Sequence, residues 1–123
     1  MANTKINGSL EVAEAATFNG SVYANSLTID GGQEITMLKR FETEQDFGTV
    51  TGHATVTASF AALGVLAGDF IACTAPLAID NSLFCEARAT AADVIQLSVT
   101  NSSNTDASAP LAIYSFIAIQ FAT

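Results

Sequence analysis

The side chains able to do chemistry are few and widely spaced. The one histidine, His53, shares a face with Thr55, Thr57 and Ser59 on an expected strand. Acid–base or nucleophilic catalysis needs a second group within hydrogen-bond reach. No Ser, Cys or Asp here carries a recognisable partner motif, so His53 reads as a solvated or interface residue. Asp30-Gly31-Gly32-Gln33-Glu34 sets two carboxylates beside a turn, without the alternating oxygen ligands of a calcium loop. No His and Cys cluster has metal-ligand spacing, and no glycine-rich run has phosphate-loop spacing. The expectation is a protein that is not an enzyme, with no catalytic residue, metal or cofactor.

Cys73 and Cys85 are the only cysteines. Two cysteines suit a protein made in a reducing cytosol. A hairpin of Phe70–Ala75 and Leu83–Ala87 centred near Ile79 would set them opposite each other, where a disulfide is conceivable. Free thiols packed as small hydrophobes are the favoured state. Carbohydrate-binding sandwiches use aromatic platforms, but Trp is absent and Tyr is limited to Tyr23 and Tyr114. A carbohydrate-binding module is therefore a weaker alternative.

Charge narrows the partners. The chain of 123 residues has a net charge of −8. Residues 41–123 hold eight acids against Arg88 alone, while residues 1–40 are nearly balanced. So acidic a body repels nucleic-acid backbones and anionic membrane surfaces. The N-terminus lacks an apolar signal region. The longest apolar run, Leu111 to Ala122, is interrupted by Tyr114, Ser115 and Gln120 and is too short for a spanning helix. Charged residues make up only 13% of the chain. A monomer would then show much neutral surface, which favours burial in an oligomer or larger assembly.

The elements beyond residue 38 read as strands. Phe41–Phe47 alternates weakly. Val50–Phe60 alternates well, with Ala54, Val56, Ala58 and Phe60 on one face. Ala61–Asp69 is a structured loop. Phe70–Ala75 ends at Pro76, which cannot donate to a ladder. Leu83–Ala89 turns Leu83, Cys85 and Ala87 inward, and Glu86 can pair with Arg88. Val94–Thr100 places Ile95, Leu97 and Val99 on one face. Asn101–Pro110 is a mobile polar loop. Leu111–Ala122 is apolar on both faces, so it is expected at the centre of a sheet or against a neighbouring subunit. Six or seven such strands make a small antiparallel sandwich.

Ahead of this body a phrase recurs: Ile6-Asn7-Gly8-Ser9, Phe18-Asn19-Gly20-Ser21 and Ile29-Asp30-Gly31-Gly32. Asn-Gly and Asp-Gly favour the positive φ of tight turns. Each copy is expected to give one short strand and one turn, too little to bury its own apolar side chains. Association of identical chains, or a set of unrelated surface hairpins, would account for it. Thr36–Arg40 reads as a hinge, with Lys39-Arg40 either an anchor on an acidic partner or two solvated charges. The division is an arm over 1–38 and a body over 39–123. The residues expected at an interface between chains or with a partner are Phe18, Val22, Leu27, Ile29, Ile35 and Met37.

The pattern Leu10-Glu11-Val12, Ala16-Thr17-Phe18-Asn19-Gly20-Ser21-Val22, Ser26-Leu27-Thr28-Ile29-Asp30-Gly31-Gly32 and Ile35-Thr36 resembles the arms of tailed-bacteriophage fibres and head decoration proteins. In the body, Gly64, Gly68-Asp69, Ala75-Pro76, Ala87 to Asp93, Thr100-Asn101 and the last strand resemble a small sandwich found in such proteins. The resemblance implies an all-β homotrimer, with an extended β-repeat arm and a jelly-roll-like antiparallel β-sandwich. It implies a structural virion protein made in the host cytoplasm, with the major capsid protein as partner. The short chain favours a capsid decoration (cement) protein over the alternative, a short phage head or tail fibre protein involved in host receptor binding.

Overall fold

The structure is a computed structural model that describes Gly8 and residues 11–123. Most of the first repeat copy, Ile6 to Leu10, lies outside the described residues. The regular elements are all strands: β1 (Ile35–Gln45), β2 (Gly48–Val50), β3 (Thr55–Ala61), β4 (Phe70–Thr74), β5 (Leu83–Ala91), β6 (Val94–Asn101), β7 (Ala107–Ala109) and β8 (Ala112–Phe121). They form antiparallel sheets in the orders β1-β8-β4 and β3-β6-β5, with β2-β7 as a short pair. This arrangement is consistent with a β-sandwich.

Period-two patterning explains the layers. β6 alternates without a break, and Ile95, Leu97 and Val99 are fully buried. On β8, Tyr114, Phe116 and Ala118 are buried on the opposing sheet. Tyr114 meets Phe47 edge-on at 5.9 Å between ring centroids, and Phe116 meets Phe60 at 5.0 Å. Such aromatic pairs add about 1 kcal/mol each beyond the area they bury. β8 lies centrally, as its doubly apolar sequence requires: Lys39–Gln45 pair with Ala118–Ala112 on one side, and Phe70–Thr74 pair with Ile119–Ser115 on the other.

Two tied loops close the ends of the body. At one end, Ala62 and Val65 are buried beside Ala89, Ile95 and Ala118. Asp93, at φ 61°, holds that loop three times. Its N–H donates to the Val65 carbonyl at 2.8 Å, its carbonyl accepts from Ala62 N–H at 2.8 Å, and its carboxylate accepts from Gly64 N–H at 2.8 Å. At the other end, the fully buried Asn101 amide donates to the carbonyls of Val50 (2.9 Å) and Thr105 (2.8 Å). Its side-chain oxygen accepts from the N–H and hydroxyl of Ser103, at 3.0 and 2.8 Å.

The structure revises several sequence expectations. Thr36–Arg40 is no hinge; it lies within β1, which begins at Ile35, ahead of the expected strand Phe41–Phe47. Val50–Phe60 is broken between β2 and β3 by a turn in which His53 has φ 61°, so His53 does not sit on a strand face. Residues 101–110 are not a loose loop, because Asn101 fastens them and β7 pairs with β2. β4 and β5 do not form a hairpin; they belong to different sheets. At 101–110 a polar turn sequence concealed long-range hydrogen bonds, from the Asn101 amide to the Val50 carbonyl and from Asp80 N–H to the Ser108 carbonyl.

Asn101→Ala would remove four hydrogen bonds and leave the Val50 carbonyl and the Ser103 N–H without the partners Asn101 supplies, in a setting where an unmet buried polar group costs about 1–3 kcal/mol. The expected loss is about 3 kcal/mol, read as a lower urea midpoint with an unchanged m-value.

Candidate interaction surface

Residues 11–34 are built differently from the body. Asp30 and Gly31 both adopt positive φ, 49° and 70°, and the Ile29 carbonyl accepts the Gly32 N–H at 2.9 Å. This is the mirror-image turn that Asp-Gly favours. Beyond it, Leu27 and Ile35 exchange two backbone hydrogen bonds, at 2.9 and 2.7 Å. The third repeat copy thus makes its turn with one bridge in place of a strand. In the second copy neither Asn19 nor Gly20 has positive φ, and residues 11–26 contain no strand. Among the described residues too few cross-strand partners exist to complete the expected strands.

The expected interface residues fall into two groups. Phe18, Val22, Leu27 and Ile29 are all more than half exposed. Ile35 is half-buried at the start of β1, paired with Phe121. Met37 turns inward instead and packs against the cluster of Ala62, Val65, Ala89, Ile95 and Ala118. Its sulfur lies where a Cβ on Gly64 would approach within 3.3 Å.

A second apolar surface lies on the outer face of the β1-β8-β4 sheet. Leu38 and Phe70 flank Ile119, and Arg40 and Ala72 flank Ile117. Leu38, Phe70, Ile113, Ile117 and Phe121 are exposed. Exposed side chains of this size, grouped on one sheet face, mark contact surfaces more often than scattered ones do. An open cleft of about 690 Å³, lined in part by Phe70, Arg88, Ile119 and Phe121, continues it towards β5. The sequence signalled this face through the outer residues of β8. Leu38 and Phe70 escaped notice because their parity is fixed only once β1 and β4 pair with β8.

The charged residues are engaged locally. Lys39 sits 5.1 Å from the centre of the Phe41 ring and donates to the Leu63 carbonyl at 3.4 Å. Arg40 pairs with Glu42 at 2.6 Å and donates to the Ser115 hydroxyl at 3.1 Å. Glu86 and Arg88 do pair, at 3.5 Å, but both are exposed and such a pair adds little. His53 donates its backbone N–H to the Ser103 carbonyl at 3.0 Å, the task of a turn residue. Asp80 accepts from the N–H and hydroxyl of Ser82, bonds that hold its carboxyl below the usual range. Among the described residues no three of His, Cys, Asp and Glu converge on a point that could hold a metal ion.

The body's most perturbed groups are two thiols and a phenol. Cys73 and Cys85 are free and half-buried, and each perturbs the other's titration. That interaction favours the thiolate on Cys85 and pushes the Cys73 thiol up, an effect that burial strengthens at Cys73. Tyr114 is fully buried and its hydroxyl has no hydrogen-bond partner. Burial, then the negative charge that Cys85 and Cys73 can carry, pushes its phenol up to about 12.

No protein-family model matches the chain, and no curated protein or solved structure is similar to it.

The Tyr114 shift has a definite sign. Its folded-state pKa exceeds the ordinary value, so its contribution is intact below about pH 10 and is lost as pH rises towards about 12. Tyr114→Phe should flatten that alkaline decline relative to the parent chain in urea titrations across this range. At neutral pH it should raise stability by about 1 kcal/mol, because an unmet buried hydroxyl is removed.

Proposed function

We propose that this chain is a structural virion protein without catalytic activity, a homotrimeric decoration (cement) protein of a tailed-phage head. An arm ahead of β1 associates with its copies and docks on the major capsid protein. The jelly-roll-like body faces water. One observation carries the reading: Phe18, Val22, Leu27 and Ile29 stand exposed on a segment to which the described residues offer no cover. Burying such a side chain contributes roughly 2 kcal/mol. Twelve of these per trimer would hold three chains together and leave surface for a shell. The unpaired backbone of residues 11–26 is available for strand addition, which supplies main-chain hydrogen bonds to a partner.

Further support comes from the body. The outer face of the β1-β8-β4 sheet supplies a second apolar surface close to the start of β1. The strand orders β1-β8-β4 and β3-β6-β5, with crossings between the sheets, support a jelly-roll-like topology. The acidic residues beyond residue 40 suit a part that stays solvated and repels its neighbours on a crowded shell.

The test has two arms. Sedimentation of the full chain at micromolar concentration should give a trimer, and Phe18→Asp with Ile29→Asp should shift it to monomer while the body remains folded. Quantitative mass spectrometry of purified particles should find the chain in numbers comparable to the major capsid protein. A stable parent monomer would overturn the trimer. A few copies confined to the tail would replace the decoration role with that of a fibre.

A further inference from the structure

Cys73 faces inward from β4 and Cys85 faces inward from β5. Their strands share no ladder: Cys73 is paired with Phe116 of β8, and Cys85 with Val99 of β6. β4 and β5 are nevertheless in contact, because each is an outermost strand of its sheet on the same side of the body. Both cysteines pack against the same core cluster. Both thiols therefore lie at the same edge of the gap between the two sheets, where β4 and β5 share no ladder and one backbone bond, Gly68 N–H to the Ala89 carbonyl at 3.0 Å, ties the approach to β4 to β5. Both are only half-buried, so a small reagent has access to them.

We propose that Cys73 and Cys85 form a redox pair that closes into a disulfide joining the two sheets when the chain meets a low-molecular-weight disulfide. A metal role fits less well, since two thiolates without a third ligand make a poor zinc site, and among the described residues no third ligand is grouped with them. The exchange begins at Cys85, whose thiolate is stabilised by its neighbour. That thiolate attacks one sulfur of the reagent RSSR, forming a mixed disulfide and releasing RS⁻. Cys73 then loses its proton to solvent, and its sulfur attacks the Cys85 sulfur and expels the second RS⁻. Two protein thiols are oxidised by two electrons, the reagent is reduced to two RSH after protonation, and no further oxidant is required. Edge strands suit such closure, because each is held by a ladder on one side only and can shift to reach disulfide geometry. The bond would close the segment from Cys73 to Cys85 and limit how far the sheets separate on unfolding. This proposal is independent of the virion reading.

The experiment incubates the full chain with oxidised glutathione, with dithiothreitol as the reduced reference. Thiol counting after denaturation and intact mass should show loss of both thiols and of two hydrogens. No retained glutathione and no interchain band on a non-reducing gel are expected. The oxidised form should melt about 10 °C higher, reversibly on reduction. Cys73→Ser should trap one glutathione on Cys85. If that variant does not fold, the thiol count and mass of the parent chain decide alone. Thiols that stay free, glutathione retained on both cysteines, or pairing only between chains would each overturn the proposal.

Discussion

The body depends on β8. Its ladders hold β1 on one side and β4 on the other, so both outer strands of that sheet are placed by one segment. Tyr114, Phe116 and Ala118 also form the floor of the core, and Phe116 and Ala118 belong to different clusters within it. A residue on β8 is therefore constrained three times, by two hydrogen-bonding neighbours and by the facing sheet. The same strand carries Ile113 and Ile117 on its outer face, where nothing among the described residues covers them. That combination is costly for a strand in isolation and reasonable for one whose second face is met by something else.

Much of this organisation was legible in the sequence. Alternation located β3, β4, β5 and β6, and the largely apolar character of both faces of β8 placed it centrally. Alternation reports which residues share a face, but not which strand lies alongside. β4 and β5 follow one another around a turn at Asp80, and local logic makes them a hairpin. The ladders with β8 and β6 are long-range and win because they bury both strands' inward faces over the shared core. Residues 101–110 failed for a related reason. A run of Asn, Ser and Thr reads as solvent-facing, yet one buried amide at Asn101 organises it.

Phe18, Val22, Leu27 and Ile29 follow from the sequence as side chains lacking local cover, and their exposure is what the structure adds. Met37 shows the limit of that logic: its neighbour Leu38 points outward and Met37 itself fills a core pocket near Val65. One residue of parity separates the two, and parity became fixed only through the pairing of Met37 with Gln120 and Leu38 with Ile119. The thiol pair was anticipated as a contact across a hairpin. It is a contact between layers, which no spacing rule within one hairpin describes.

The junction of β1 and β8 gives the molecule a direction. Ala122 donates its N–H to the Glu34 carbonyl at 2.9 Å, and the Gln33 side chain reaches the Ala122 carbonyl. Residues 11–34 and Thr123 therefore leave the body from one pole, while the Asn101 and Asp80 turns crown the opposite pole. A passenger fused after Thr123 would travel beside residues 11–34 and compete for whatever they touch. The crown around Ser102–Asn104 is where a displayed peptide would project clear of that traffic.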